Sequence, residues 1–353
     1  MQQVSMATKL INRILVVSLG SAGTRHLRLA REHFPNAEIK VLRHQVQSVI
    51  PQFSDGCFST LEEAIEFAPQ IAIVANPATL HVRVAHALAQ VGAHLLVEKP
   101  LSSSLEGVDS LIESCKENNS VLMIGYNLRF SPSLQRFRAL LSEEIIGELF
   151  SVRCEVGQYL PSWRPKSDYR IGVSAKKELG GGVILELSHE IDYLRWIFGE
   201  VEWVRATLTR QSKLEIDVED SAHLTMGFLP ASREHQLVGI LNLDFIRHDQ
   251  TRTCTVIGEK GTLRWNGLTG ELDLFETGAT SWKKLYEHAP QNDETYTAEW
   301  QDFVDSIHEK RVPFVTGEDG KRVLQIIEAA RISATTGAQE MMLYSHPMNR
   351  PSE

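Results

Sequence analysis

The chain has 353 residues, 42% hydrophobic and 23% charged, with a formal net charge of −9. These values suit a folded globular protein of one or two domains and exclude collagen-like, fibrous and disordered chains. The acidic balance argues against a dedicated nucleic-acid binder, which is normally basic. The four cysteines, Cys57, Cys115, Cys154 and Cys254, stand far apart without CxxC or Cys/His ligand spacing, so reduced thiols, a cytoplasmic setting and no metal are expected. No apolar run reaches the ~18 residues of a bilayer span, and residues 1–12 lack a signal peptide's apolar core. Neither a membrane nor a nucleic acid is an expected partner.

Residues 13–19 (RILVVSL) predict a buried strand, followed at once by the turn SLGSAGTRH and a helix with Leu27, Ala30 and Phe34 on one face. Ser18, Gly20 and Gly23 occupy the three positions of G-x-G-x-x-G, the first glycine being replaced. Gly20 would let the backbone approach a pyrophosphate, Gly23 would let helix and strand pack closely, and the helix start offers N–H groups to the anion. A dinucleotide is therefore expected on Gly20, Ser21, Ala22, Gly23, Thr24 and Arg25, although the turn alone also fits a purely structural role. The second strand, AEIKVLRH, ends in Arg43 and His44, where an NAD pattern places an acid for the ribose hydroxyls. Arg43 suits a 2′-phosphate, which favours NADP over NAD; the alternative is a solvated strand end.

A helix at TLEEAIEF, a strand at IAIVAN, a helix over 80–91, the strand HLLVE, a helix over 105–118 and the strand VLMIG follow. Five strands alternating with helices predict a doubly wound parallel sheet. Asn76 and Pro77 end the strand IAIVAN on the expected ribose and nicotinamide side, with Thr79 as helix N-cap. His81 and His86 read as surface helix residues, His81 being kept among the cofactor-side positions. Pro100 cannot donate to a ladder, so HLLVEKP ends near Lys99, at the strand edge where open α/β sheets bind ligands. Alone, the Glu98–Lys99 pair reads equally well as a surface ion pair.

Residues 150–283 hold seven alternating segments (FSVRCEVGQYL, EWVRATLTRQ, SAHLTMGFL, QLVGILNLDFI, TCTVIG, GTLRWN and GELDLFE) and predict a mostly antiparallel sheet. Between the first two, GGGVILELSHEIDYLRWIFGE predicts one helix stopped at Gly199, with Glu186, His189 and Asp192 three residues apart on a shared face.

Taken together, SLGSAGTRH, VANPATLH and VEKP resemble the Gfo/Idh/MocA family of nicotinamide-dependent oxidoreductases, which act mostly on sugars, cyclitols and their derivatives. The likeness runs the whole chain: GYNLRFSP at 125–132 is similar to the family's domain junction, 180–199 to its catalytic helix, and EWQDFVDSI with GEDGKRVLQIIEAARISATTG to its C-terminal helices. The resemblance implies an N-terminal Rossmann domain (1–125) joined to an α/β domain (126–353) with a largely antiparallel open sheet. One face of that sheet would carry the substrate pocket and the other often an oligomer contact, so a homodimer or homotetramer is expected, and the C-terminal helices could pack back on the first domain. It also gives Lys99 a catalytic or orienting role. Glu98 and Asn127 join the expected cofactor contacts.

Hydride loss from a carbinol carbon requires the hydroxyl to lose a proton, which a neutral imidazole such as His189 can accept near physiological pH. A carboxylate, Asp192 or Glu186, would fix the imidazole tautomer, and Lys99 would stabilise the developing alkoxide. Many family members carry Asp four residues before this histidine; here that position is Leu185 and the acid is Glu186, which leaves the role of Glu186 open. The loop 157–178 mixes Tyr159, Trp163 and Tyr169 with Arg164, Lys166, Arg170, Lys176 and Lys177. With Arg129 from the junction, it suggests an anionic or nucleotide-linked sugar held by stacking and guanidinium forks. The same loop also fits an oligomer arm or a cofactor clamp through Trp163 and Arg164. The leading expectation is an NAD(P)-dependent sugar dehydrogenase or reductase; the alternatives are a glycoside hydrolase with tightly bound NAD and a non-catalytic NAD(P)-binding sensor.

Overall fold

A computed structural model describes residues 11–43, 49–229 and 235–343. The chain divides into two compact units: Met1–Ser131 with Ile171–Gly181 and Pro290–Leu324, and Pro132–Arg170 with Gly182–Ala289 and Gln325–Glu353. Two later stretches of the chain thus belong to the first unit. Among the described residues no helix is long and apolar enough to cross a membrane.

The first unit is built on β1 (Arg13–Val17), α1 (Ser21–His33), β2 (Glu38–Leu42), β3 (Gly56–Phe58), α2 (Leu61–Glu66), β4 (Ile71–Val74), α3 (His81–Gln90), β5 (His94–Glu98), α4 (Val108–Glu117) and β6 (Leu122–Gly125). The strands form one sheet in the order β3-β2-β1-β4-β5-β6, all parallel, which is the doubly wound dinucleotide-binding order. The sequence predicts five of these six strands. β3 has three residues, too few for a periodicity to show. Apolar side chains on both faces of β1, β4 and β5 are fully buried, as parallel strands covered by helices require.

The turn after β1 is fixed sterically. Ser18 stands at φ 75°, the left-handed region that the replaced glycine would enter without strain. A Cβ on Gly23 would lie 2.1 Å from the Ser18 carbonyl oxygen, so α1 can pack on this turn only with glycine there.

The second unit holds α5 (Pro132–Ser142), β7 (Leu149–Gly157), α6 (Val183–Glu186), α7 (His189–Phe198), β8 (Val201–Thr209), β9 (Ser221–Phe228), β10 (Val238–Asp244), β11 (Thr251–Gly258), β12 (Gly261–Asn266), β13 (Glu271–Glu276), β14 (Lys283–Glu287) and β15 (Glu340–Met341). Its nine strands run in the order β14-β13-β12-β11-β7-β10-β9-β8-β15, antiparallel throughout except for the parallel β7/β10 pair. β14 and β15 lie beyond the predicted strands. The core under this sheet gathers Phe137, Tyr193, Phe198, Phe228 and Trp265, and the Trp265 indole donates to Ser133 Oγ at 3.0 Å. Cys154 and Cys254, remote in sequence, face each other across β7 and β11 and are free thiols. Of the two C-terminal helices, α8 (Glu294–Glu309) belongs to the first unit, and α9 (Gly317–Thr336) contributes its first turns there and the rest to the second.

The turn yields a paired test. Ser18→Gly should stabilise the protein by roughly 0.5–1 kcal/mol by relieving the left-handed strain, whereas Gly23→Ala should destabilise it by about 1–3 kcal/mol through overpacking. Denaturant midpoints report both, and equal midpoints for the two variants would contradict the geometry.

Candidate active site

In the first unit the reactive side chains sit on the turns that follow three buried strands. After β1, Gly20 forms the N-terminal flank of α1 in extended backbone (φ −67°, ψ −172°), and no side chain caps the helix. A Cβ added to Gly20 would meet nothing within 4 Å. The protein's own packing therefore does not demand glycine at this point. What glycine leaves is open space above an uncapped helix start, which fits the close approach of a pyrophosphate. Ser21, Ala22 and Gly23 supply the adjoining backbone, and Thr24 Oγ1 turns back to donate to the Leu19 carbonyl at 3.3 Å.

Other side chains at the expected cofactor edge have partners within the protein. Arg25, expected on the cofactor, has its guanidinium against Asp293 (2.6 Å) and over the Tyr296 ring (4.4 Å) within the same unit. Arg43 at the end of β2 donates from Nη2 to the Val49 carbonyl at 3.1 Å, and His44 lies outside the described residues. Thr79 is not the cap of α3; it sits in a short 3-10 turn and donates to the Glu178 carbonyl. His81 is no surface residue: it is 2% exposed, its ring nitrogens 2.6 Å from the Asn76 carbonyl and 2.9 Å from the Pro100 carbonyl. Burial lowers its pKa. Asn127 is buried and donates to Thr295 Oγ1 at 2.8 Å. Arg129, expected to reach the substrate, is instead 3% exposed and ion-paired with Asp319 at 3.1 Å, because the fold brings the start of α9 against this junction.

The turn after β5 carries Lys99, half-buried, between Glu98 and Pro100. Glu98 Oε1 lies 2.9 Å from His26 Nε2, and Oε2 accepts the Lys99 backbone N–H at 3.1 Å. Burial alone would raise this carboxyl's pKa; the His26 hydrogen bond and the Lys99 charge outweigh burial and hold it below the ordinary value. Trp300, on α8, donates its indole N–H to His26 Nδ1 at 2.9 Å. His26 was legible only as a member of the inward stripe of α1 with Gly23, Leu27 and Ala30, and Trp300 had no local signal. Glu299, beside Trp300, is fully buried and finds no hydrogen-bond partner for either oxygen among the described residues. Burial, then the nearby Glu98 and Asp302 charges, push its pKa well above the usual carboxylate range.

In the second unit the predicted single helix is two, α6 and α7, broken at Leu187–Ser188. Glu186 closes α6 while His189 opens α7, so the two stand on successive short helices. His189 is half-buried, and Asp192, three residues on, is 1% exposed. Glu190 is fully buried and ion-paired with Arg252 at 2.8 Å, and the Tyr193 hydroxyl lies 2.9 Å from Cys154 Sγ. Both features fix the inner face of α7 against β7 and β11. Glu219 accepts from the Ile184 N–H at 3.2 Å and so holds the start of α6, a role with no sequence signal.

The loop before α6 also differs from the expected basic clamp. Arg170 is paired with Asp168 (2.8 Å) and Glu215 (3.5 Å), and the Tyr169 hydroxyl accepts the Glu215 N–H. Trp163 donates to the Gln158 carbonyl at 3.0 Å and packs edge-on against Phe245; Tyr159 lies against His248 with ring centroids 4.3 Å apart. Arg164 is exposed. Among the described residues no cluster could hold a metal ion.

Glu299 gives a pH prediction. A carboxyl whose pKa is raised on folding contributes stability below its unfolded value of about 4.3 and loses it as pH rises through the folded pKa. Glu299→Gln stays neutral throughout, so its gain in Tm over the wild type should be small near pH 4 and grow toward pH 8. A gain independent of pH in thermal unfolding would contradict a buried, raised carboxyl.

Comparison with known proteins places both halves of this arrangement. The family model for the NAD-binding Rossmann fold of the Gfo/Idh/MocA oxidoreductases matches residues 12–126, and the model for their C-terminal alpha/beta domain matches residues 138–343. Myo-inositol 2-dehydrogenase of Thermotoga maritima is 27% identical over 91% of this chain and 96% of its own. Levoglucosan dehydrogenase in complex with NADH superposes with a TM-score of 0.82 at 21% identity, covering 94% of this chain and 99% of that one. The WlbA dehydrogenase of Bordetella pertussis, in complex with NADH and UDP-GlcNAcA, superposes with a TM-score of 0.77 at 21% identity, covering 95% and 100%. A buried parallel sheet in dinucleotide-binding order, an uncapped helix after a glycine turn and both family models lead to one conclusion: the chain belongs to the Gfo/Idh/MocA family of nicotinamide-dependent oxidoreductases.

Proposed function

We propose that this protein is a dehydrogenase or reductase that moves a hydride between NAD(P) and a hydroxyl-bearing ring carbon of a sugar or inositol derivative. The observation that carries this reading is Lys99, half-buried on the turn beyond β5, in a first unit whose glycine turn leaves open space at Gly20. NAD(P), when bound, supplies the hydride acceptor or donor. The chain's residues handle the proton and the charge. In the oxidative direction the C–H bond releases its electron pair with the hydride, and the hydroxyl proton passes to the His189 imidazole. The Lys99 ammonium stabilises the negative charge that develops on the oxygen. Asp192, buried on α7 three residues after His189, is the proposed orienting acid.

For the substrate, a neutral polyhydroxylated ring is the first reading, because Arg129 and Arg170 already carry carboxylate partners. The named activity of the Thermotoga maritima relative, on myo-inositol, supports it. A nucleotide-linked or anionic sugar is the second reading, favoured by the exposed Arg164 and by the likeness to the WlbA dehydrogenase. A panel of myo-inositol, levoglucosan and a UDP-linked uronic sugar, assayed with NAD and NADP, separates the two. Assembly as a homodimer or homotetramer is part of the proposal and is read by sedimentation.

Lys99→Ala and His189→Ala should each lower kcat by ~100-fold or more on the best substrate of that panel, with NADH affinity retained. Wild-type turnover in both variants would reject the assignment, and product formed without net cofactor turnover would point to the hydrolase alternative.

For cofactor choice we propose NADP over NAD on the strength of Arg43 at the end of β2, where an acid would repel the 2′-phosphate. Arg43→Asp should raise the Kd for NADP by about tenfold or more while changing that for NAD little; equal changes would remove the preference.

A further inference from the structure

Lys99 is gripped through both of its chain neighbours, and a histidine holds each neighbour. On one side the Glu98 carboxylate accepts the Lys99 N–H with Oε2 and meets His26 Nε2 with Oε1. An indole N–H can only donate, so the Trp300 contact makes His26 Nδ1 an acceptor and places the ring proton on Nε2, aimed at Glu98. The chain Trp300, His26, Glu98, Lys99 N–H is thus a directed series of donors and acceptors. On the other side the His81 ring nitrogens face the Pro100 carbonyl at 2.9 Å and the Asn76 carbonyl at 2.6 Å; both oxygens are acceptors, so the neutral ring that burial favours donates to one of them at a time. His26 stands on α1, three residues beyond Gly23, and His81 opens α3 beyond the Asn76–Pro77 turn. Two imidazoles therefore tie together the turns after β1, β4 and β5.

We propose that His26 and His81 are positioning residues for Lys99, locking its backbone from both sides and coupling it to the glycine turn. The proposal rests on the reading of Lys99 given above. It is favoured over a purely stabilising role by what is buried. His26 is 0% exposed and Glu98 8%, and apolar side chains of similar volume usually serve stability as well as or better than a buried ionic group. What the polar series provides instead is direction: it fixes one carboxylate oxygen on one amide, that of Lys99. A misplacement of the order of an ångström at a reacting group can cost about a hundredfold in rate, so orientation at this residue matters more than elsewhere on the sheet.

The test is a double-mutant cycle between His26 and Lys99, read by turnover on the best substrate of the panel and by amide hydrogen exchange. His26→Leu should lower kcat about tenfold or more, yet change it less than about twofold in a Lys99→Ala background, since a positioning effect has nothing left to position. His26→Gln, whose amide can both donate and accept, should recover most of the loss. Without any substrate, His26→Leu should accelerate exchange in the peptide spanning 94–104 while leaving that of β1 unchanged; His81→Leu should do the same. If His26→Leu does not fold, Trp300→Phe, which removes only the indole donor, should show the same dependence on Lys99 at smaller amplitude. Equal losses in both backgrounds, or unchanged exchange over 94–104, would overturn the proposal while leaving the function intact. Undiminished turnover in Lys99→Ala alone would instead overturn the functional reading and this proposal with it.

Discussion

Burial of the first unit's sheet on both faces is the constraint from which its functional layout follows. Ile14, Leu15 and Val16 in β1, all four residues of β4 and Leu95 to Val97 in β5 are completely buried. A polar group on these strands would lose its hydration without a partner, so the chemistry is pushed to the first residues beyond them. Ser18 to Gly20, Asn76–Pro77 and Lys99–Pro100 are those residues. Parallel strands place all three turns at the same edge, where such sheets bind ligands. The two glycines then divide the work: Gly23 is required by the protein's own packing, and Gly20 is not.

The second unit solves a different problem. Its sheet is nearly all antiparallel, with α5 and α7 against it, and two of its buried polar groups meet a partner, Glu190 as an ion pair with Arg252 and Trp265 as a hydrogen bond to Ser133. His189 stands half-buried at the opening of α7. The guanidinium groups that seemed available for an anionic substrate are largely occupied by carboxylates of the protein itself.

Much of this was legible along the chain. The apolar runs ended by GSAG, NP and KP marked three strand ends, and hydrophobic alternation marked seven of the second sheet's strands. What was not legible depended on distance in sequence. Trp300 reaches His26 across 274 residues and Asp319 reaches Arg129 across 190, and no local pattern announces either. The break between α6 and α7 escaped because the apolar spacing runs on through Leu187. Asp168, two residues from Arg170, was a local signal: an acid within a basic loop consumes one of its charges.

The central proposal is that the Lys99 ammonium stabilises the negative charge that develops on the substrate oxygen at the reacting carbon. A crystal structure of the protein with NADP(H) and its best substrate measures this directly. The account predicts Lys99 Nζ about 3 Å from that oxygen. A complex in which Lys99 faces away from it would contradict the account.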